Sequence, residues 1–238
     1  FPGSIGTIRI RDGILTIGDF KSVYKVLASY TPSEANITAE ERELFGSWMN
    51  GPRDACFNPD FERVAYIWAL AYEKKNSEHV NGVVSLTPTI IQSLLGYIGN
   101  VTLSDGTELT SENATKVLQY DLYYKYLNAS ASASAGDYVD ELFAETAKAT
   151  MAKLVSDFDV KKAGDYYKVF SDGAKNRTIM MWMENENEQQ LVKNAGCSGG
   201  LNDDSENPET GVYFSITDPS KLGWFLDINT EIGEAVVN

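Results

Sequence analysis

The sequence predicts an α/β protein: a layered α/β/α single domain over residues 1–238, with a mixed central sheet and an N-terminal β-hairpin. Residues 8–17 alternate apolar and polar side chains around Asp12-Gly13, a strong short-range signal for a tight hairpin. Residues 82–86 form a short apolar run, as expected of a strand covered on both faces. Strands of this kind alternate with helical stripes of apolar residues, which is typical of layered α/β domains.

Helix signals follow the hairpin in order. Asp19 can cap a first short helix, and Thr38 with Glu41 forms a capping box for a second. Asp60, after a proline, can cap a third helix with a long apolar stripe. The first third of the chain is therefore mainly helical after its hairpin.

The remaining elements are predicted by the same local signals. Thr87-Pro88 starts a helix, and Thr110 caps another. The small, polar and repetitive residues 128–136 predict a flexible connector. Beyond it the patterns predict a helix from Asp137, a strand over 177–183, a short helix over 187–195, and two closing strands over 212–216 and 224–228.

Composition excludes several classes of partner. The net charge is −14, from 20 basic and 34 acidic residues, and no basic cluster is present, so we expect no nucleic-acid binding. No apolar run approaches the roughly 18 residues that cross a bilayer. The chain starts at Phe1 inside what resembles a continuing motif. We therefore expect it to be part of a longer protein, with any membrane anchor upstream.

The two cysteines, Cys56 and Cys197, allow two interpretations. They are either separate thiols or one disulfide that closes a very long loop, as would suit an exported protein. The sequence leaves both open.

Two further patterns carry little catalytic weight. Residues 196–200 match the G-x-S-x-G pattern of α/β-hydrolases, but a helix precedes them and an acidic loop follows. The chain's one histidine, His79, lies before Ser198, which is the wrong order for a catalytic triad of that fold. One histidine and two distant cysteines also match no zinc-site spacing.

The most polar cluster lies between two predicted helices and contains Arg53, Asp54, Asp60 and Arg63. Arginines suit bidentate binding of phosphate or carboxylate, and an aspartate can hold Mg²⁺ or act as a base. The alternative is structural: Asp60 only caps a helix, and the arginines pair with local acids.

Several motifs, in order, resemble a family of uncharacterised exported proteins of Gram-positive bacteria, a domain of unknown function tethered by an N-terminal helix. They are Phe1-Pro2-Gly3-Ser4 with the Asp12-Gly13 hairpin, Asn58-Pro59-Asp60-Phe61, Asn81-Gly82-Val83-Val84 to Pro88, Gly99, Gly106, Thr110 to Ala114, and Lys221 to Asp227. The resemblance implies a location on the extracellular face of the cell envelope.

A more distant similarity is to the LytR-CpsA-Psr envelope phosphotransferases, through Pro52-Arg53-Asp54, residues 94–101 and residues 109–118. It implies a phosphate site to which Lys125 could contribute. Where that family has pyrophosphate-binding arginines, residues 119–126 hold one lysine and no arginine.

Our first hypothesis is a non-catalytic or uncharacterised extracellular envelope domain that binds a cell-wall or surface component, of which a glycopolymer is one candidate, without a cofactor. The alternative is a divergent, Mg²⁺-dependent glycopolymer phosphotransferase or pyrophosphatase. The sequence leaves open whether the protein is an enzyme.

Overall fold

A computed structural model describes residues 3–27, 32–52, 54–127, 133–202, 204–214, 222–231 and 233 of the chain. The chain divides into two compact units, residues 1–201 and 202–238. Mixed helices and short strands in the first unit confirm the predicted α/β class and the N-terminal hairpin. The single domain expected over 1–238 stays a prediction.

Among the described residues, the first unit has nine α-helices and eight short strands. The helices are α1 (Val23–Val26), α2 (Ala39–Phe45), α3 (Phe61–Asn76), α4 (Pro88–Ile98), α5 (Ala114–Lys116), α6 (Leu122–Leu127), α7 (Ala133–Ser156), α8 (Ala163–Lys175) and α9 (Glu186–Asn194). The strands are β1 (Ser4–Ile5), β2 (Ile8–Arg11), β3 (Ile14–Ile17), β4 (Lys21–Ser22), β5 (Gly82–Leu86), β6 (Val101–Thr102), β7 (Glu108–Leu109) and β8 (Ile179–Met183). A π-helical turn, Val117–Asp121, joins α5 to α6.

The hairpin between β2 and β3 turns as the sequence predicts. Asp12 and Gly13 have φ of 52° and 77°, and a type I′ turn needs positive φ at both central positions. Ile8 lies opposite Ile17 and Arg11 opposite Ile14. Asp-Gly therefore sets both the turn and the register.

Within the described residues, the strands form small antiparallel pairs in place of the predicted mixed central sheet. Strands of the described residues pair as four two-stranded antiparallel sheets, and β5 pairs with β8 from Gly82–Met183 to Leu86–Ile179. The outer edge of β8 is already occupied. The Met181 N–H donates to Cys197 O at 2.7 Å, and the Met183 N–H donates to Gln189 Oε1 at 2.7 Å. A loop carbonyl and a side chain thus replace a third strand.

The burial predicted for β5 is also corrected. Val84 and Leu86 are 45% and 36% exposed, so the strand is not covered on both faces. Val83 packs against the core formed by α3, and Ile179, at the start of β8, packs against the core between α4 and α8. Apolar residues in this strand indicate a half-covered surface, which is common in antiparallel pairs.

Apolar packing forms three clusters in the first unit. The largest joins α4, the α5–α6 helix, α7 and α8 through side chains such as Leu94, Leu118 and Leu142. A second cluster packs α3 against the segment between residues 35 and 56. A third contains Val23, Leu27 and Ala71. Because α3 contributes to the second and third clusters and packs beside β5 and β8, it connects α1 with those two strands.

Two further predictions concern the connector and the closing strands. The connector expected at 128–136 lies outside the described residues from 128 to 132, and α7 already includes residues 133–136. The closing strands are not found in the part that the structure describes: residues 212–214 and 226–228 are irregular, and Leu222–Phe225 is a 3₁₀ turn. Residues 215–216 lie outside the described residues. A segment without a paired neighbour has no ladder to join.

The disulfide considered for Cys56 and Cys197 is not formed, and both thiols are free. Cys56 packs with the α3 cluster, and its Sγ donates to Pro52 O at 3.8 Å. Cys197 packs against the α4–α8 cluster, and its Sγ donates to Val192 O at 3.5 Å. The two thiols therefore belong to different cores.

We predict that the unfolded, unreduced protein reacts with two equivalents of a thiol reagent, because both thiols are free. In the folded state Cys56 should react slowly, since burial raises the pKa of its thiol to about 11 and the thiolate is the reactive species. A Cys197→Ser variant isolates that slow reaction, and unfolding it should make the remaining thiol fast. If the unfolded wild type showed no reactive thiols, the result would instead support a disulfide between Cys56 and Cys197.

Candidate functional site

The predicted phosphate site stays a prediction, because the described residues do not include all of its members. Arg53 lies outside them, and Asp54 begins the 3₁₀ turn Asp54–Phe57. Asp60 is the N-cap of α3, and its Oδ1 accepts the Glu62 N–H at 3.0 Å. Burial raises the pKa of Asp60, while backbone N–H donors at the helix start act in the opposite direction. Asp60 thus has the capping role that the sequence allowed.

Arg63 is held in a structural ion pair. Its Nε and a terminal guanidinium nitrogen donate to the two carboxylate oxygens of Glu41, at 2.7 and 2.9 Å. The same terminal nitrogen donates to Ala35 O at 2.7 Å. Glu41 also closes the capping box of α2 with Thr38. The hydrogen bond from Arg63 lowers the pKa of Glu41. These bonds tie α3 to α2 rather than present a cation to a ligand.

Lys125 belongs to a different structural network. Its Nζ lies 2.9 Å from Asp105 Oδ2, and the Asp105 side chain is only 5% exposed. Burial by itself would raise the pKa of Asp105, but hydrogen bonds from Tyr126, Lys125 and Thr107 outweigh it and hold that pKa well below its usual range. Lys125 therefore fixes the turn between β6 and β7 to α6. It does not share the ion pairs of Arg63.

A groove of about 320 Å³ lies along the outer edge of β8, where α9 packs beside the strand. This volume falls within the lower range of small-molecule sites. None of the four described candidates, Asp54, Asp60, Arg63 and Lys125, lines it. Its lining consists of Trp182, Met183, Glu184, Glu186, Gln189, Gln190 and Lys193. We call this the β8–α9 groove.

Gln189 forms the buried wall of the β8–α9 groove. Its side chain is oriented by the Met183 N–H, which donates to Oε1. Its Nε2 is buried and has no acceptor among the described residues. A buried donor without a partner costs roughly 1–3 kcal/mol, so it is an unusual feature that asks for an explanation.

Contacts with α3 and the loop after it hold three other groove residues in place. The Trp182 ring meets Tyr66 edge-on, with ring centroids 6.2 Å apart. Lys193 Nζ lies 3.2 Å from Glu62 Oε2. His79 bridges Glu73 of α3 and Glu184 of the groove, with both ring nitrogens 2.8 Å from a carboxylate oxygen.

The sequence carries a weak signal for this groove. A tryptophan near the end of a strand is followed by the amide- and acid-rich run 184–190. Such a run more commonly marks the start of a helix, which the sequence predicts over 187–195. The groove also depends on α9 folding back along β8, which local spacing does not show.

Two features were not found among the described residues: a metal-binding cluster and a membrane-spanning helix. Within them, no group of three or more His, Cys, Asp or Glu side chains is placed to hold a metal ion. Among the same residues, the helices are too short or too polar for any of them to cross a membrane.

The first unit combines an α/β fold with a ligand-sized recess. The chain belongs to the family described as "Protein of unknown function (DUF4012)", whose model matches residues 1–123. The β8–α9 groove lies beyond that matched part. No curated protein and no solved structure matches the chain.

We predict that Arg63→Ala lowers the free energy of unfolding by about 3 kcal/mol, because it removes the guanidinium that pairs with Glu41 and leaves the Ala35 carbonyl without its donor. Arg42→Ala, at an exposed position of α2, is the matched control and should change stability by less than about 0.5 kcal/mol. Urea titration of both variants checks this. Equal stability of the two would contradict the structural role of Arg63.

We also predict a pH-dependent contribution from His79. The hydrogen bond to Glu184, then the charges of Glu184 and Glu73, raise the pKa of His79 above its ordinary value of 6.5. The stabilisation is therefore complete below about pH 6.5 and is lost as the pH rises through the raised folded-state value.

The measurement compares the melting temperatures of wild type and His79→Gln across this pH range. Their difference should shrink towards alkaline pH, and a constant difference would refute the coupling. Because the chain has one histidine, its imidazole NMR signals report the folded pKa without assignment.

Proposed function

We propose that this protein is a non-catalytic extracellular domain of the cell envelope that binds a cell-wall or surface glycopolymer in the β8–α9 groove. The single observation that supports this most is the composition of the groove. It combines an indole with two amides and two carboxylates in one recess. Sugars need such a mixture, because their rings have apolar faces that pack on aromatic side chains and edges rich in hydroxyl groups.

The anchoring of the groove favours binding with little rearrangement. Trp182, Glu184 and Lys193 are each held by a partner on α3 or, for Glu184, through His79. A groove whose side chains are already ordered loses less conformational entropy when a ligand arrives. The three anchors therefore support a preformed site rather than a gap in the surface.

The phosphotransferase alternative is supported by the distant sequence similarity alone. Among the described candidates, Arg63 and Lys125 are bound to Glu41 and Asp105, and Asp60 caps a helix. The extracellular location and the upstream anchor are part of our proposal and are supported by the sequence resemblance.

The direct test uses insoluble cell-wall polysaccharide and soluble oligosaccharides with the full 238-residue chain. Glu186→Gln should weaken binding several-fold, because one carboxylate acceptor of the groove is lost. Glu188→Gln, on the same helix and exposed but outside the groove, should bind as wild type.

Two outcomes would contradict the proposal. One is that no carbohydrate binds at millimolar concentration, which corresponds to less than about 4 kcal/mol of binding free energy. The other is that binding occurs but Glu186→Gln and Glu188→Gln are indistinguishable, which would place the site elsewhere.

A further inference from the structure

We infer that the β8–α9 groove selects uncharged acetamido sugars and rejects anionic glycopolymers. This inference rests on the proposed sugar-binding function and names its ligand class. Three features of the groove support it: its charge, the capped start of α9 and the unpartnered amide nitrogen of Gln189.

The charge of the groove opposes anions. Two carboxylates, Glu184 and Glu186, line it with one cation, Lys193. That cation is already paired with Glu62 on α3. The chain as a whole carries a net charge of −14, so a phosphate-rich polymer approaches against both the local and the overall field.

The start of α9 offers no compensating anion site. Helix N-termini bind phosphate through free backbone N–H groups. Here Asn185 is the N-cap, and its Oδ1 accepts the N–H groups of Asn187 and Glu188 at 3.0 and 3.2 Å. These donors are used within the helix, and Glu186 adds a negative charge at its first position.

The side-chain amide of Gln189 favours a ligand with an uncharged hydrogen-bond acceptor. Because Oε1 is engaged by the Met183 N–H, the amide cannot rotate to present oxygen to a ligand without losing that bond. What remains is the buried Nε2, a donor without a described acceptor. An acetamido group can satisfy it once the Gln189 side chain shifts enough to open Nε2 to the groove, since the carbonyl of that group projects beyond the sugar ring and its methyl group suits the neighbouring Met183 and Trp182.

A peptide fits the groove less well than a sugar. An extended peptide binds a sheet by adding hydrogen bonds at a free strand edge. At β8 the outward N–H groups of Met181 and Met183 already donate to Cys197 O and Gln189 Oε1. The edge therefore offers no backbone ladder to a peptide.

The test titrates the full chain, by calorimetry, with three probes. Chitotetraose carries acetamido groups, cellotetraose has hydroxyl groups on the same linkage, and poly(glycerol phosphate) is a polyanion. We expect chitotetraose to bind about tenfold more tightly than cellotetraose, the equivalent of one net hydrogen bond, and the polyanion not to bind.

The outcomes separate this inference from the function on which it rests. If none of the probes and no cell-wall polysaccharide binds, the sugar-binding function fails. If cellotetraose equals chitotetraose, or if the polyanion binds most tightly, the function stands and the selectivity is overturned. This comparison needs no variant, so it does not depend on a mutant folding.

Variants then locate the selectivity. Gln189→Glu keeps an oxygen for the Met183 N–H but replaces the Nε2 donor, and it should bring the two oligosaccharides to equal affinity. Gln190→Glu adds the same charge at the exposed wall and should keep the preference for chitotetraose. A preference that survives Gln189→Glu, in a variant with a native circular dichroism spectrum, would overturn the role of Nε2.

Discussion

Arg177 makes the contact on which the geometry of the first unit depends. One terminal nitrogen of its guanidinium donates to Pro59 O at 2.6 Å and to Gly199 O at 2.8 Å. Gly199 O also accepts the Phe61 N–H at 3.0 Å. This contact joins the beginning of α3, the approach to β8 and the turn after α9. Gly199 has φ of 60°, and a Cβ there would lie 2.7 Å from Met180 Sδ and 2.9 Å from Phe61 Cβ. Only glycine allows this approach without displacing its neighbours.

The position of α3 next to β8 in turn determines what the groove can do. Three of the groove side chains are held from α3 or the loop after it, through Tyr66, Glu62 and His79. These contacts differ in kind: one is aromatic, one is a surface ion pair and one changes with pH. Surface ion pairs alone contribute little. The aromatic contact and the packing of α3 therefore supply most of the order in the groove, and the charged contacts set its electrostatics.

The features that the sequence predicts correctly are those that a few neighbouring residues decide. Asp12-Gly13 forms the predicted turn, and Thr38 and Glu41 form the predicted capping box. The β5 segment is a strand, as its composition indicates. Contacts between distant segments were not predictable in this way. The partner of Arg63 lies 22 positions away on α2, and the acceptor for Met183 is a side chain rather than a strand. Residue type suggested what Arg63 could bind, while the fold decided what it does bind.

Gln189 shows why the end of the sheet and the groove are one feature. Had a third strand paired with β8, its backbone would occupy the edge where the groove now lies, and the Met183 N–H would donate to a carbonyl. A glutamine side chain satisfies the same N–H with its oxygen but adds two N–H donors that a strand would have placed in a ladder. Those donors are left beside a recess. By taking the place of a third strand, the Gln189 side chain thus leaves both the space for a ligand and the polar group that the ligand would have to satisfy.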